Sequence, residues 1–316
     1  MSHRTRRTLV LMVVGALVVL PLVGLIAMER ITAVGPSSDE PLAILLLGSD
    51  SGPPRPEDDT LTGRADGFHL LLVSAERDHA TFVSFPRDSW VPVTGLGDTK
   101  INACMTRGPE NCVTTVEDVF QIDVDAYFVT SMWGFADAVN EFVGCDIGDP
   151  ELSRGCTRGL TIDVDFTCET GCGGFPIEET GEQQLSGFQA LTKARNRKLR
   201  DDGDFTRSQS QAELLAVAHA EMQAEGSIAR MMDALRILRR HSVTDLTLPQ
   251  LTRLGIDAMR LDPANVERIL APARLGSVGA ASVVFLEDEV YDIVAETAAT
   301  GRLPEEYRTV ATSSGG

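Results

Sequence analysis

A basic segment in the second half of the sequence has the residue types needed to bind a phosphorylated ligand. Residues 193–207 hold six of the chain's Lys and Arg side chains. Arg195 and Arg197 are two apart, so on a strand they would share one face. Arg207 and Gln211 are four apart, so on a helix they project from one side, near its N-terminus. Guanidinium groups beside a helix start favour a ligand with several negative charges, most naturally phosphate.

The same segment has a simpler interpretation, in which its Arg side chains pair with nearby aspartates on a solvated surface. The aspartates available for this are Asp201, Asp202 and Asp204. Asp204 is also a suitable N-cap for the helix that carries Arg207. Exposed ion pairs of this kind are common and contribute only ~0–1 kcal/mol each. A charge run by itself favours this simpler interpretation.

A second group of charged residues lies upstream, at the ends of three apolar runs. Asp50 follows the first run, Asp66 precedes the second, and Arg87 follows the third. Open α/β sheets bind ligands at the carboxyl ends of their strands. Two carboxylates with Arg nearby suit a hard cation such as Mg²⁺ that bridges to phosphate oxygens. Aspartates at strand ends are also common in solvated loops, which is the alternative for each residue taken alone.

Strand-like and helix-like stretches interleave along the chain, and they must position these side chains. Short apolar or alternating runs predict strands, and the polar turn between the second and third runs predicts a hairpin. The predicted strands are 43–47, 68–73, 80–85, 125–130 and 160–165, and the predicted helices are 109–121, 133–143 and 205–225. This alternation indicates one α/β layered domain of about 270 residues. We place it at residues 42–300, followed by a flexible tail at 301–316.

The N-terminal segment predicts a membrane anchor. Residues 9–28 carry no charge, and a helix needs ~20 residues to cross a bilayer. Arg residues precede this run, which places residues 1–8 in the cytoplasm and exports everything after the anchor. Residues 29–41 then form a linker. The alternative is a cleaved signal peptide, whose apolar core is shorter, roughly 7–15 residues. We therefore expect a single-pass cell-membrane protein with an extracellular domain.

Charge and cysteine content narrow the possible functions. The formal net charge of −18 argues against binding to nucleic-acid phosphates. The sequence lacks both the HExxH pair of zinc hydrolases and the Gly-Lys-Ser/Thr of a nucleotide-binding loop. All six Cys follow the anchor, and an even number in an exported domain predicts disulfides rather than free thiols or a zinc site. The expected pairs are neighbours in sequence: Cys104 with Cys112, Cys145 with Cys156, and Cys168 with Cys172.

Six short motifs occur in an order that resembles one known family. They are LLLGSD at 45–50, RAD at 64–66, SFPRD at 84–88, KINA at 100–103, ALTKARNR at 190–197 and DGDFTR at 202–207. Each motif alone is unspecific. Together, and in this order, they resemble the LytR-CpsA-Psr family of cell-wall phosphotransferases, and a single anchor before the domain is also similar to that family.

The resemblance implies a fold and a reaction. The implied fold is a three-layer α/β/α sandwich with a central mixed sheet that holds a polyprenyl diphosphate. The implied reaction transfers a glycopolymer from that lipid carrier to peptidoglycan and leaves polyprenyl phosphate. By the same resemblance, Asp50 and Asp66 bind Mg²⁺. The residues that it assigns to the diphosphate are Arg87, Arg195, Arg197, Arg207 and Gln211, of which Arg87 and Arg195 are also expected to be catalytic, with the two aspartates.

Two positions depart from the family pattern. Gly52 stands where the family usually has Arg, and Gly67 stands where it usually has Thr or Ser. These departures favour a catalytically weakened relative that binds lipid-linked glycan or scaffolds wall assembly. A plain polyprenyl diphosphate hydrolase is a further alternative, since it needs the same site with water as acceptor. The cysteines and the Arg-rich composition suggest an actinobacterial branch, in which the polymer would be arabinogalactan or a capsule-like glycan.

Overall fold

The structure is a computed structural model, and it describes residues 40–50, 63–143, 159–169, 175–196 and 204–308. Its strands are β1 (Leu42–Ser49), β2 (Ala65–Val73), β3 (Ala80–Ser84), β4 (Trp90–Val93), β5 (Gly97–Lys100), β6 (Ala126–Ser131), β7 (Leu160–Val164), β8 (Gly181–Leu185), β9 (Ser242–Thr244), β10 (Val266–Leu270), β11 (Ala273–Val278) and β12 (Ala281–Leu286). Its helices are α1 (Pro109–Phe120), α2 (Met132–Val143), α3 (Gly187–Arg195), α4 (Asp204–Glu225), α5 (Ile228–Arg240), α6 (Leu248–Arg260) and α7 (Glu289–Thr300), with short 3-10 helices at Ile101–Arg107 and Pro263–Asn265.

A six-stranded mixed sheet forms the centre of the domain, in the order β10-β3-β2-β1-β6-β9. β2 is antiparallel to both β1 and β3, which confirms the predicted hairpin. β6 is parallel to β1, and β10 is parallel to β3. The register places Gly48 opposite Gly67, and Ser49 opposite Ala65. The end of β1 and the start of β2 therefore lie together, and they bring Asp50 and Asp66 to one edge of the sheet.

One face of the sheet packs against α1 and α7. Leu45 and Leu47 of β1 are buried on this side, together with apolar residues of both helices. Phe85, directly after β3, contacts Phe68 with ring centroids 6.1 Å apart and Phe120 with centroids 4.9 Å apart. Burying one such ring stabilises the fold by about 1.5–3 kcal/mol. This aromatic stack therefore fixes the chain just before Arg87.

The opposite face of the sheet carries α4, α5 and α6. Helix α4 contacts β2, β3 and β10. Two hydrogen bonds join α4 to the C-terminal part of α6: His219 Nε2 donates to the Ala258 carbonyl (2.6 Å), and Gln223 Nε2 donates to the Leu261 carbonyl (3.0 Å). The domain thus has helices on both faces of a mixed sheet, as predicted.

The strand considered for Arg195 and Arg197 is wrong at Arg195, because this residue ends a helix; Arg197 lies outside the described residues. Ser186 and Gln189 form a capping box at the start of α3, in which each side chain accepts a hydrogen bond from the other residue's backbone N–H. Phe188 and Leu191 are three apart and both are buried, which matches a helical period. Arg195 is the last residue of α3.

The folded domain extends beyond the predicted boundary at residue 300. Leu303 is fully buried, and its backbone N–H donates to Glu267 Oε2 at 2.7 Å. Arg308 Nε donates to the carbonyl oxygen of Leu303 at 2.8 Å. The predicted anchor at residues 9–28 and most of the linker lie outside the described residues. Among the residues that are described, no helix combines the length and apolar character needed to cross a membrane.

A disulfide joins Cys104 in the 3-10 helix to Cys112 in α1, which is the pairing expected from their spacing. Both cysteines are fully buried in the cluster between the sheet and α1. Cys168 is also disulfide-bonded. The other three cysteines, Cys145, Cys156 and Cys172, lie outside the described residues.

Candidate active site

The two predicted metal ligands lie side by side at the sheet edge. The backbone N–H groups of Asp50 and Asp66 both donate to the carbonyl oxygen of Arg64, at 3.2 and 2.9 Å. The backbone N–H of Arg64 in turn donates to Asp50 Oδ1 at 2.8 Å. One residue of the RAD motif therefore holds both aspartates in place through its backbone. Asp50 is half-buried and Asp66 is buried.

The carboxylate of Asp66 binds two predicted phosphate-binding arginines, one through each oxygen. Arg87 Nη1 donates to Asp66 Oδ1, and Arg207 Nη1 lies 3.4 Å from Asp66 Oδ2. The side chain of Arg207 is only 1% exposed, and that of Asp66 is 7% exposed. A buried guanidinium loses most of its hydration, so it is stable only where negative charge compensates it. Two guanidiniums therefore meet at one buried carboxylate, and a second carboxylate, that of Asp88, lies 3.7 Å from Arg87 Nε.

The segments around Arg87 are held by the KINA motif. Asp88 Oδ2 lies 2.9 Å from Lys100 Nζ, and its other oxygen lies 3.7 Å from Arg87 Nε. The backbone N–H of Asn102 donates to the carbonyl oxygen of Arg87 at 3.3 Å. Ile101, fully buried, donates its N–H to Ser89 at 2.7 Å. The KINA motif therefore positions Arg87. This role explains why the motif occurs together with the other motifs of the site.

Helix α4 supplies two of the predicted ligand-binding side chains from one face, as their spacing indicates. Arg207 and Gln211 are both buried and point toward the start of β2. Gln211 Nε2 donates to the carbonyl oxygen of Ala194 at 3.2 Å, which brings the end of α3 to the site. The next residue, Arg195, is half-buried. Arg197 lies outside the described residues, as do Gly52 and the aspartates Asp201 and Asp202.

Gly67 leaves space that Gln211 uses. A Cβ at position 67 would lie 3.0 Å from Gln211 Oε1 and 3.4 Å from the Cα of Gly48. A larger side chain would force the carboxamide to move by several tenths of an ångström. The departure from the family pattern at Gly67 is therefore matched to the position of Gln211 in this chain.

His69 is a buried polar residue of the site that the sequence analysis missed. Its ring lies between Ser84 Oγ (2.9 Å from Nδ1) and Gln211 Oε1 (3.2 Å from Nε2). Burial is the main cause that lowers the pKa of His69 to about 4; the hydrogen bond to Gln211 opposes this shift, and the positive charge of Arg207 adds to it. The ring is therefore neutral at physiological pH. A single His within the apolar run of β2 was the signal that could have indicated it.

An apolar cavity of about 460 Å³ begins at this edge and runs between the sheet and the second helical layer. Gly67, His69, Leu71 and Val73 of β2 line it in succession, so it follows one face of that strand. The six residue steps from Gly67 to Val73 correspond to a length of ~20 Å along the strand. A few polar groups line the cavity, and one of them, Gln211, lies at the end near the site. The rest of the lining is mainly apolar side chains from the sheet and from helices α2 to α6. The geometry thus joins a cationic site to a long apolar slot.

The acidic residues of the site fit one mode of Mg²⁺ binding. Within the described part of the chain, no group of three or more His, Cys, Asp or Glu side chains is arranged as a metal cage. Mg²⁺ often binds through one or two carboxylates, with substrate phosphates and water completing the shell. Asp50 and Asp66, adjacent at the sheet edge beside two guanidiniums, form a donor set of that kind.

Comparison with known proteins decides the family. The model of the LytR_cpsA_psr family matches residues 25–299, which is most of the chain. The chain belongs to the LytR-CpsA-Psr family. One relative, the polyisoprenyl-teichoic acid–peptidoglycan teichoic acid transferase TagU of Oceanobacillus iheyensis, is 30% identical over 218 residues. The aligned part is 67% of this chain and 61% of that protein, so this chain spans less than two thirds of the relative's length.

Solved structures of LytR-CpsA-Psr proteins share the fold. Bacillus subtilis TagV superposes with a TM-score of 0.65 at 22% identity, over 82% of this chain and 96% of that one. The LytR-Csp2A-Psr enzyme from Actinomyces oris superposes with a TM-score of 0.64 at 20% identity, over 86% of this chain and 94% of that one. These matches confirm the predicted α/β fold with a mixed central sheet.

Proposed function

We propose that this protein is a membrane-anchored phosphotransferase that moves a glycopolymer from a polyprenyl diphosphate carrier to peptidoglycan. The observation that carries the proposal is the cluster of Asp66, Arg87 and Arg207 at one end of an apolar cavity. The cluster suits the diphosphate, and the cavity suits the prenyl chain. A water-soluble phosphate ester has no long apolar part, so a site for such a ligand would not need the apolar cavity.

The guanidiniums of the cluster can bind an incoming diphosphate. Arg87 and Arg207 meet at Asp66, so their planar donor groups lie close together. A diphosphate diester adds further negative charge that both Arg87 and Arg207 can neutralise through charge-assisted hydrogen bonds. Gln211 adds a neutral amide donor on the same helix face as Arg207. Arg195, at the end of α3, is proposed to approach the same phosphates, and the proposal extends to Arg197 by its place in the motif.

The reaction requires stabilisation of charge more than covalent chemistry. A hydroxyl of peptidoglycan attacks the phosphorus that carries the glycan, the bond to the bridging oxygen breaks, and polyprenyl phosphate leaves while the hydroxyl proton passes to solvent. Arg87 and Arg207 would stabilise the charge that builds on the leaving phosphate, as preorganised donors do in a partly dry site. Mg²⁺, held by Asp50 and Asp66, would supply additional positive charge at the phosphate oxygens.

The named activity of relatives supports the same substrate class. TagU of Oceanobacillus iheyensis is a polyisoprenyl-teichoic acid–peptidoglycan teichoic acid transferase. For this chain we propose substrates of the same general class: a polyprenyl-linked glycopolymer as donor and peptidoglycan as acceptor. An anionic protein with a net charge of −18 is also a poor match for nucleic acid.

We further propose that residues 9–28 anchor the protein in the cell membrane and that the domain lies outside the cell. The disulfide between Cys104 and Cys112 supports an oxidising compartment, because stable disulfides are rare in the cytosol. The test is a fusion after Gly316 to a reporter enzyme that works only outside the cytoplasm. We expect this fusion to show reporter activity. Activity of a cytoplasm-only reporter at the same position would contradict this topology.

The function is tested with the full-length protein, Mg²⁺ and a polyprenyl diphosphate-linked glycan labelled in its sugar. With a peptidoglycan acceptor present, a transferase moves the label onto peptidoglycan and releases polyprenyl phosphate. A hydrolase releases polyprenyl phosphate at the same rate with or without the acceptor. A scaffold binds the substrate and releases nothing, and either of these two outcomes would overturn the proposed transfer.

A further inference from the structure

We propose that His69 is a positioning residue that orients the carboxamide of Gln211 toward the diphosphate, an inference that rests on the proposed function. His69 lies on β2, at the junction between the cationic cluster and the apolar cavity. It is 4% exposed, and among the described residues the hydrogen bonds of its ring are with Ser84 and Gln211. Its contact with the site is through Gln211.

The direction of each hydrogen bond in this network follows from simple donor and acceptor rules. The Ala194 carbonyl can only accept, so the nitrogen of the Gln211 side chain must face it. Gln211 Oε1 therefore faces His69, and it can only accept, so His69 Nε2 must carry the hydrogen. His69 Nδ1 is then the acceptor for the hydroxyl of Ser84. Only one arrangement of hydrogens satisfies the whole chain of contacts.

This chain of hydrogen bonds determines where Gln211 can donate. One hydrogen of its amide nitrogen is used by Ala194, while the oxygen is held by His69. The second amide hydrogen is thereby fixed in direction, and in this proposal it is donated to the diphosphate. Hydrogen bonds in series also polarise one another, which strengthens the outermost donor. Without His69, the carboxamide could rotate and present its oxygen to the phosphates, which would repel them.

An ordinary role in packing would not require a histidine here. Neighbouring positions on the same strand face are apolar: Leu71 and Val73 line the cavity with no hydrogen-bonding group. Burying an imidazole among such residues is costly unless both ring nitrogens find partners. Both do, through Ser84 on β3 and Gln211 on α4. The neutral state of the ring, with a pKa of about 4, is the state that this arrangement needs.

The test compares binding of geranyl diphosphate, a soluble probe, with binding of geraniol, which has the same chain and no phosphate. It uses the full-length protein in nanodiscs. His69→Met removes the donor, and we expect it to weaken geranyl diphosphate binding about tenfold while geraniol binding changes by less than about twofold. His69→Gln places an amide N–H close to the position of Nε2 and is expected to restore most of the affinity. Leu71→Ala, from the same cavity wall, is the matched control and should weaken both probes alike.

A double-mutant cycle with Gln211→Met tests the coupling. If His69 acts through Gln211, His69→Met should add less than about twofold in the Gln211→Met background. Full additivity, or equal weakening of both probes by His69→Met, would show that His69 only shapes the cavity. If wild-type protein binds geranyl diphosphate no better than geraniol, the proposed function fails instead.

The ring nitrogens of His69 give a second measurement that needs no folded variant. Nitrogen-15 shifts of the wild-type protein should identify the hydrogen on Nε2 and a hydrogen-bonded, unprotonated Nδ1. A hydrogen on Nδ1 at neutral pH would reverse the direction of both contacts and overturn the proposal, whatever the outcome with the variants.

Discussion

Replacing Arg207 tests whether the buried cationic cluster binds a diphosphate or only stabilises the fold. The guanidinium is 1% exposed, and its carboxylate partner, Asp66, keeps a second guanidinium from Arg87 when Arg207 is removed. Breaking a buried ion pair typically costs about 3–5 kcal/mol, because a charge is left without compensation. Because Asp66 stays paired with Arg87, we expect Arg207→Met to lower the free energy of unfolding by an amount at or below the lower end of that range.

The effect on binding is separate and can be measured below the melting temperature. A hydrogen bond to a charged group contributes about 1.5–3 kcal/mol. Its loss in Arg207→Met should weaken binding of geranyl diphosphate by roughly ten- to a hundredfold. Arg207→Lys should recover only part of this, because an ammonium lacks the planar pair of donors that matches phosphate oxygens.

A matched control is available on an exposed helix of the same domain. Arg236 of α5 is 62% exposed and pairs with Asp233 one turn away. Arg236→Met should change neither melting temperature nor binding measurably, since exposed pairs contribute ~0–1 kcal/mol. Wild-type affinity for geranyl diphosphate in folded Arg207→Met would refute the reasoning, because the buried guanidinium would then be structural only.

Three further outcomes follow from the same geometry. Asp50→Asn and Asp66→Asn should each abolish Mg²⁺-dependent turnover of a polyprenyl diphosphate, and full turnover in the presence of a chelator would remove the metal role. Replacing Cys104 and Cys112 with Ser should lower the free energy of unfolding by about 2–3 kcal/mol, measured by denaturant titration without reductant, because the disulfide closes a short loop; an unchanged midpoint would contradict this. His69 has a folded pKa of about 4 and an unfolded value of 6.5, so between these values the unfolded chain binds a proton that the folded chain does not. The contribution of His69 to the free energy of unfolding should therefore be fully present above pH 6.5 and fall by about 3 kcal/mol as the pH drops to 4. His69→Met should flatten that part of the plot of stability against pH. An equal slope in the variant would argue against a buried neutral ring.

Local patterns in the sequence account for much of the site. The spacing of Arg207 and Gln211 predicts a shared helix face, and in the structure both side chains lie on the same side of α4. The apolar runs predict β1 and the β2–β3 hairpin, and with them the positions of Asp50 and Asp66 at a sheet edge. These inferences hold because helix and strand periods are properties of a few consecutive residues.

The same local reasoning failed where two signals competed. The basic residues at 193–197 suggested a strand with Arg on one face, but the capping box at Ser186 and the buried pair of Phe188 and Leu191 specify a helix that ends at Arg195. His69 was missed because a lone His in an apolar run indicates a buried polar group but does not indicate which partners it will meet. Its partners, Ser84 and Gln211, come from another strand and from α4.

The sequence by itself determined the class of fold, the family and the identity of most charged groups in the site, because motif order and periodicity are readable along the chain. Only the tertiary structure decided which of those groups meet. Asp66 contacts Arg87 and Arg207, which are 21 and 141 residues away in the chain. Strand register sets the first contact, and the packing of α4 on the sheet sets the second. Such contacts depend on how whole faces fit together, and spacing within one element carries no information about the face it will meet.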